Sequence, residues 1–254
     1  MKDTLFQNTP VNVAVVGRNL DDLMPMLREF PVRLVDENPD LVISYGGDGS
    51  LLGAEQKFPH VPKFPLRDFR QNPKCPLHDE RTVLKQLFAG ELKPTSLCKL
   101  YAELPNGTTL TGINDIVLSN LHVSSAIRYR LWLNGELFRG QVVADSLVVS
   151  TPFGSTGYFH SITRGTIQTG LGLAFSNAMD LYCFTIVPQS TVIDVELLRG
   201  PAHIAADNDP RISQLADGAK IRIRVHDEPT LAYGIDVFRC ADCYNLRKNG
   251  LTLA

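Results

Sequence analysis

Asp40-Leu41-Val42-Ile43-Ser44-Tyr45-Gly46-Gly47-Asp48-Gly49-Ser50-Leu51-Leu52 is the stretch around which the rest of the chain can be placed. Leu41, Val42 and Ile43 form a short apolar run, the pattern of a strand covered on both faces. The run stops at Gly46-Gly47-Asp48-Gly49, where glycines permit positive φ and let backbone N–H groups approach a bulky anion with no Cβ in the way. Ser50 reads as the N-cap of a helix beginning near Leu51, whose dipole points at the same spot. A carboxylate beside a phosphate cradle is unfavourable unless it serves a cation or takes a proton, which makes Asp48 the first candidate for chemistry. The alternative is a tight strand-to-helix turn with Asp48 as a solvated turn residue.

Upstream of that bend, residues 11–16 read as a strand. Leu23, Met26, Leu27 and Phe30 follow at helical spacing, with Pro25 tolerable only in a first turn. Residues 32–35 and 41–44 supply two more short strands, so the pattern predicts an α/β layer with a mostly parallel sheet and ligands at the strands' carboxyl ends. Downstream, residues 58–76 carry five prolines (Pro59, Pro62, Pro65, Pro73, Pro76) and read as an irregular surface loop. Asp79 then caps a predicted helix with Val83, Leu84, Leu87 and Phe88 on its buried stripe and Gly90 at its end.

The composition changes after Pro94. Asn106-Gly107 and Asn134-Gly135 each lie between alternating runs, the signal of a two-residue hairpin. Strand-like runs recur at residues 146–150, 183–187, 191–197, 220–225 and 230–235. The expected division is therefore an α/β nucleotide-binding domain at 1–94, completed by 237–254, and a β-rich domain at 95–236.

At 254 residues and 44% apolar content the chain suits one large domain or two ordinary ones with real cores. With 25 basic and 27 acidic side chains the formal charge is −2, which argues against nucleic acid or a membrane surface as partner. The first residues have no apolar signal-like core, and no apolar run approaches the roughly 20 residues of a spanning helix, so a soluble cytoplasmic protein is expected. The five cysteines, Cys75, Cys98, Cys183, Cys240 and Cys243, are odd in number and irregularly spaced, as reduced thiols are. Cys240-Ala-Asp-Cys243 has the spacing of a zinc or redox pair. A zinc site needs a second close pair, and only Cys75 near His78 offers help, so no metal ligands are assigned from the sequence.

Two segments of the β region do not read as plain strands. Gly112-Ile113-Asn114-Asp115-Ile116-Val117 sets an amide and a carboxylate at the start of an apolar run, able to bond a ligand's hydroxyls or amide, or simply to form a turn. Thr151-Pro152-Phe153-Gly154-Ser155-Thr156-Gly157-Tyr158-Phe159-His160-Ser161 is a hydroxyl-rich loop running into a helix start, suited to phosphate or ribose with Tyr158 packed on a planar ring. Asp145 lies just upstream.

In this order and at these distances, Gly46-Gly47-Asp48-Gly49-Ser50, Asn114-Asp115, and Asp145 followed by the Thr151 to Ser161 stretch resemble the NAD kinase family. The likeness runs from about Val11 to Asp207. The resemblance implies a phosphofructokinase-like, parallel-sheet α/β domain followed by an all-β, β-sandwich-like domain. It also implies phosphorylation of the adenosine 2′-hydroxyl of NAD by ATP or polyphosphate, with Mg²⁺ or another divalent cation. By position, Asp48 would be the general base, and Gly46, Gly47 and Gly49 would form the bend around it. Asn114 and Asp115 would bind the dinucleotide and Asp145 would lie near its nicotinamide end, with Thr156, Gly157, Tyr158 and Ser161 lining the site. NAD and ATP would be the ligands, and a homodimer or homotetramer the assembly. Three departures stand out. Residues 61–69 (Val-Pro-Lys-Phe-Pro-Leu-Arg-Asp-Phe) lack the glycines of the family's second motif, Ala144-Asp145-Ser146 replaces Gly-Asp-Gly, and Asp207-Asn208-Asp209 stands for a late Asp-Gly-Gln. A non-catalytic dinucleotide-binding protein and a kinase of another small hydroxyl compound are the competing readings.

Overall fold

The computed structural model describes residues 10–179 and 183–250. The chain divides into two compact units, Met1–Leu97 with Thr230–Ala254, and Cys98–Pro229. In chain order the first unit opens with β1 (Val11–Gly17), α1 (Leu20–Leu27), β2 (Val32–Leu34), β3 (Leu41–Tyr45) and α2 (Asp48–Lys57). It continues with β4 (Lys63–Leu66), α3 (Glu80–Phe88) and β5 (Pro94–Leu97). The second unit holds β6 (Leu100–Glu103), β7 (Thr109–Gly112), β8 (Asp115–Asn120), β9 (Ile127–Leu133), β10 (Glu136–Ala144), β11 (Ser146–Ser150) and α4 (Tyr158–Thr163). It ends with β12 (Leu171–Ser176), β13 (Phe184–Val187), β14 (Ile193–Arg199), β15 (Ala202–Ala206), β16 (Ser213–Leu215) and β17 (Lys220–Val225). The chain then rejoins the first unit through β18 (Thr230–Tyr233), α5 (Ile235–Phe238) and α6 (Ala241–Gly250).

The first unit is a sheet in the order β2-β1-β3-β4-β18-β5, parallel except where β5 meets β18. All five residues of β3 are buried, as its unbroken apolar run requires. Leu41 and Ile43 pack with Leu23 and Leu84 on one face, and Val42 packs with Ala14 and Ala54 on the other. Each fully buried side chain of this size contributes about 1.5–3 kcal/mol. These layers fix the carboxyl end of β3, and with it the glycine bend.

Four local expectations change. Helix α1 ends at Leu27, short of Phe30, and carries Pro25 inside it, beyond the first turn. The supposed loop at 58–76 contains β4, a buried strand paired with β3. Its polar end hid it: Lys63 is fully buried, its Nζ 2.6 Å from Glu55 Oε2 and donating to the carbonyls of Phe58 and Val61. Residues 230–233, expected in the β-rich domain, lie in the first sheet, because β18 pairs with β4 and β5. Of the two Asn-Gly pairs, only Asn134-Gly135 makes a two-residue turn, with φ of 52° and 82° and Leu133 opposite Glu136. Asn106-Gly107 sits in a longer loop closed by the Leu104 N–H to the Thr108 carbonyl. Residues 251–254 of the expected returning segment lie outside the described residues.

The second unit holds two antiparallel sheets, β10-β9-β14-β17-β6-β7 and β13-β12-β11-β8-β15-β16. Their inward side chains share one core, with Tyr129, Leu131 and Val195 from the first sheet and Leu118, Leu147 and Ile204 from the second. Strand β9 alternates buried and more exposed positions, but all five residues of β11 are buried. The reason is a second layer: Phe159 of α4 packs with Val148 and Ala174 on the sheet's other face. That covered sheet carries the second unit's candidate residues. Among the described residues no helix is long and apolar enough to cross a membrane.

Candidate functional site

In the first unit, Gly46 takes φ of 140° and Gly47 is extended, so the chain leaves β3 and enters α2 within two residues. The helix begins at Asp48, with Gly47 as N-cap and no side-chain capping bond. This corrects the expected start near Leu51: Ser50 lies inside the first turn, and its hydroxyl oxygen sits where a Cβ on Gly46 would fall, 2.3 Å from that point. A carboxylate in the first turn of a ten-residue helix faces the positive end of the helix dipole.

Two guanidiniums reach Asp48. Arg67 Nη2 is 3.4 Å and Arg239 Nη2 is 3.7 Å from Asp48 Oδ1, and the carboxylate is 45% exposed while the arginines are largely covered. Arg67 follows β4 and is held in place by the C-terminal segment: its Nε donates to the Phe238 carbonyl at 3.0 Å, and its guanidinium lies 4.0 Å from the Phe238 ring centroid. Burial lowers the pKa of both arginines, against the opposing pull of Asp48, yet a guanidinium stays charged. Ion pairs this long on a half-exposed carboxylate are worth on the order of 1 kcal/mol or less, so both cations can turn to a phosphate at little cost. Next to Arg67, buried Asp68 accepts from the Gln71 N–H at 2.9 Å and from Asn72 Nδ2 at 3.1 Å, closing the loop after β4. Arg67 and Asp68 thus occupy the place where the glycines of the second motif are missing. Sequence reasoning assigned neither arginine, because nothing in spacing links residues 67 and 239 to residue 48.

In the second unit the Asn114-Asp115 segment and the hydroxyl loop are brought together. The side chain of Asp207, at the end of β15, accepts the N–H groups of Ile113, Asn114 and Asp115 at 2.9, 2.8 and 3.1 Å. The loop after β11 lies directly on the same turn: the Thr151 N–H donates to the Asn114 carbonyl at 2.9 Å, and the Thr151 hydroxyl to the Ile113 carbonyl at 2.6 Å. Gly154 is obligatory there, since a Cβ would stand 2.1 Å from the Asn114 carbonyl oxygen. Asn114 Oδ1 is buried with no hydrogen-bond partner among the described residues, an acceptor set for a donor it does not meet within the chain. Burial, then repulsion from Asp207, pushes the Asp115 carboxyl up to about 7.

The hydroxyls of the loop divide by role. Ser155 is fully buried, donating to the Pro152 carbonyl and accepting from the Ile167 N–H, which makes it a structural staple. Thr156, Gly157, Tyr158 and Ser161 are exposed. The Ser161 hydroxyl donates to the Tyr158 carbonyl, within its own helix. Tyr158 Oη lies 3.3 Å from Ser146 Oγ, at the far end of β11. Asp145 stands at that far end too, fixed by Asn177 Nδ2 at 2.7 Å. Because Ser150 is opposite Asp115 and Ser146 opposite Ser119, Asp145 and Asn114 sit at opposite ends of neighbouring strands, about 20 Å apart at the usual rise. Tyr158 spans part of that distance.

Cys75, His78, Cys240 and Cys243 form a second cluster in the first unit, all four donor atoms within 4.8 Å of one another. The isolated pair at 75 and 78 is thus joined to the Cys-x-x-Cys pair, against the expectation that no metal-ligating set is present. Burial pushes the Cys243 thiol up to about 11, and backbone N–H groups of Cys243 and Asp242 draw the Cys240 thiol down.

A parallel α/β unit with a Gly-Gly-Asp bend, joined to a β unit with its own polar loop, is the two-domain architecture of the NAD(H) kinases. The structure of yeast NADH kinase complexed with NADH matches with a TM-score of 0.77 at 16% identity, over 97% of this chain and 88% of that one. An NAD kinase from Archaeoglobus fulgidus in complex with ATP matches with a TM-score of 0.75 at 20% identity, over 93% of this chain and 98% of that one. In sequence the chain is a divergent relative of curated proteins named NAD kinase. It is 30% identical to one from Bordetella avium over 175 residues and 27% identical to one from Clostridium botulinum over 172, each covering 65% of this chain. The matched region spans 56% and 58% of those two relatives' own lengths. No family model matches the sequence.

Proposed function

We propose that this chain is an NAD kinase, transferring a phosphoryl group from ATP or polyphosphate to the adenosine 2′-hydroxyl of NAD. The observation that carries this reading is Asp48 in the first turn of α2, at the carboxyl edge of a parallel sheet, with Arg67 and Arg239 beside it. Asp48 is the general base: it takes the 2′-hydroxyl proton as that oxygen bonds to the terminal phosphorus and the bond to the bridging oxygen breaks, releasing ADP. Arg67 and Arg239 supply the charge that holds the phosphates. A divalent cation neutralises phosphate charge when bound. Of the bend residues only Asp48 offers it a carboxylate, which fits Mg²⁺, an ion that takes most of its ligands from phosphate and water.

In this reading the first unit is the phosphofructokinase-like phosphate half and the second the β-sandwich-like dinucleotide half. Asn114 Oδ1 accepts from the dinucleotide, Asp115 in its protonated form donates to it, and Tyr158 packs on a planar ring. Thr156, Gly157 and Ser161 line the site, and Asp145, at the far end of β11, lies near the nicotinamide end of the dinucleotide. The expected assembly is a homodimer or homotetramer.

The test is purified chain with NAD or NADH, Mg²⁺, and ATP or polyphosphate, with product read by a dehydrogenase specific for NADP. Formation of NADP is the expected result. NAD binding by calorimetry without product would instead favour a non-catalytic dinucleotide-binding protein, the reading that the Arg67-Asp68 substitution of the second glycine motif supports. Faster transfer to another acceptor in a panel of hydroxyl compounds would reassign the substrate.

A further inference from the structure

Cys75 caps the short 3-10 turn Pro76–His78 and His78 ends it, and Cys240 and Cys243 stand at the start of α6. Folding of the first unit brings these pairs together across 168 residues of sequence. Cys75 Sγ is 3.4 Å from His78 Nδ1, and Cys243 Sγ is 3.5 Å from both Cys75 Sγ and His78 Nδ1. A tetrahedral zinc centre, with bonds of about 2.3 Å to sulfur and about 2.0 Å to nitrogen, needs ligand atoms about 3.6–3.8 Å apart. These three separations lie within a few tenths of an ångström of that, and well beyond the roughly 2.05 Å of a disulfide, and Cys240 Sγ lies within 4.8 Å of all three atoms. The Cys75 N–H also donates to Cys243 Sγ at 3.4 Å, the outer bond that supports a metal-bound thiolate. Among the described residues this is the one cluster of three or more such donors at ligating distance.

We propose that Cys75, His78, Cys240 and Cys243 form a structural zinc site of the Cys₃His type. Three soft thiolates and an imidazole select zinc over the hard cations of phosphoryl transfer. Four protein ligands leave no open position, so the site is structural and not catalytic. It clamps the loop that follows β4 to α6. Arg67 begins that loop, and Phe238 and Arg239 directly precede Cys240, so the clamp sets the two guanidiniums on Asp48. The site stands whether or not the chain phosphorylates NAD.

The experiment is elemental analysis of the full chain, purified without chelator from zinc-replete cells. One zinc per chain is expected. Cys240→Ser and Cys243→Ser should each bind zinc at least about tenfold more weakly in a buffered competition, with Cys98→Ser in the other unit unchanged. Because loss of a ligand can itself unfold the unit, the wild-type chain is also stripped and titrated with Co²⁺. The expected spectrum shows thiolate-to-cobalt charge transfer and intense tetrahedral d–d bands, with Cys75, Cys240 and Cys243 shielded from alkylation while Cys98 and Cys183 react. Substoichiometric zinc together with only a weak octahedral cobalt spectrum overturns the proposal. So does a Cys75–Cys243 disulfide in the freshly isolated protein.

Discussion

The candidate sites of the two units hold their carboxylates by different means. Asp48 is half-exposed and touched by two side-chain cations at 3.4 and 3.7 Å, interactions that solvent screens and a phosphate can replace. Asp207 grips three backbone N–H groups of the Asn114 turn, and that turn is pinned again by Thr151 and by the close approach of Gly154. Hydrogen bonds to a charged acceptor are worth roughly 1.5–3 kcal/mol each, so the second arrangement resists displacement. The first unit offers adjustable charge and the second a rigid template, the division that the proposed phosphoryl transfer calls for.

That contrast makes substitutions in the two units fail differently. Asp48→Asn should cut turnover of NAD to NADP by about 10²–10⁴-fold while leaving NAD affinity by calorimetry nearly unchanged; equal losses in both would erase the division of labour. Gly154→Ala should do the reverse, lowering the stability of the second unit by on the order of 3 kcal/mol in urea titration, because its Cβ meets a backbone carbonyl that cannot step aside. An unshifted urea midpoint would mean that the loop is not locked to the Asn114 turn.

The pH response sharpens the comparison further. The Asp115 pKa is raised from 3.8 to about 7, so between those values the folded chain keeps a proton that the unfolded chain releases. Its stabilising effect is complete below about pH 4 and is lost as the pH rises through about 7. Urea midpoints should therefore show a downward contribution across that window, flattened in Asp115→Asn; identical profiles for the two proteins would refute the shift. The smallest effect belongs to the adjustable unit. Gly53 lies inside α2 with nothing within 4 Å of a Cβ, so Gly53→Ala should raise stability by about 0.5–1 kcal/mol. A lowered midpoint would show that the helix needs that glycine.

Much of this was legible in the chain itself. The buried strand β3, the Gly46-Gly47 bend, the Asp79-capped α3 and the Asn134-Gly135 hairpin follow from short-range rules: an apolar run, a glycine pair, an N-cap oxygen accepting the Thr82 N–H at 3.1 Å, two residues at positive φ. Strand β4 was hidden by Pro65 within it, by the prolines around it and by a lysine whose charge is answered at Glu55. The clamp on the Asn114 turn was hidden as well, because Asp207 lies more than 90 residues downstream.

The order of residues alone determined where the backbone bends, which runs are buried and which residue types stand at the bends, because those properties depend on neighbours within a few positions. Tertiary structure decided which charges meet. Arg67 and Arg239 at Asp48, Asp207 under the Asn114 turn, and Cys75 with His78 beside Cys243, 168 residues on from Cys75, are set by the packing of sheets and the return of the chain through β18, and no local spacing encodes that return.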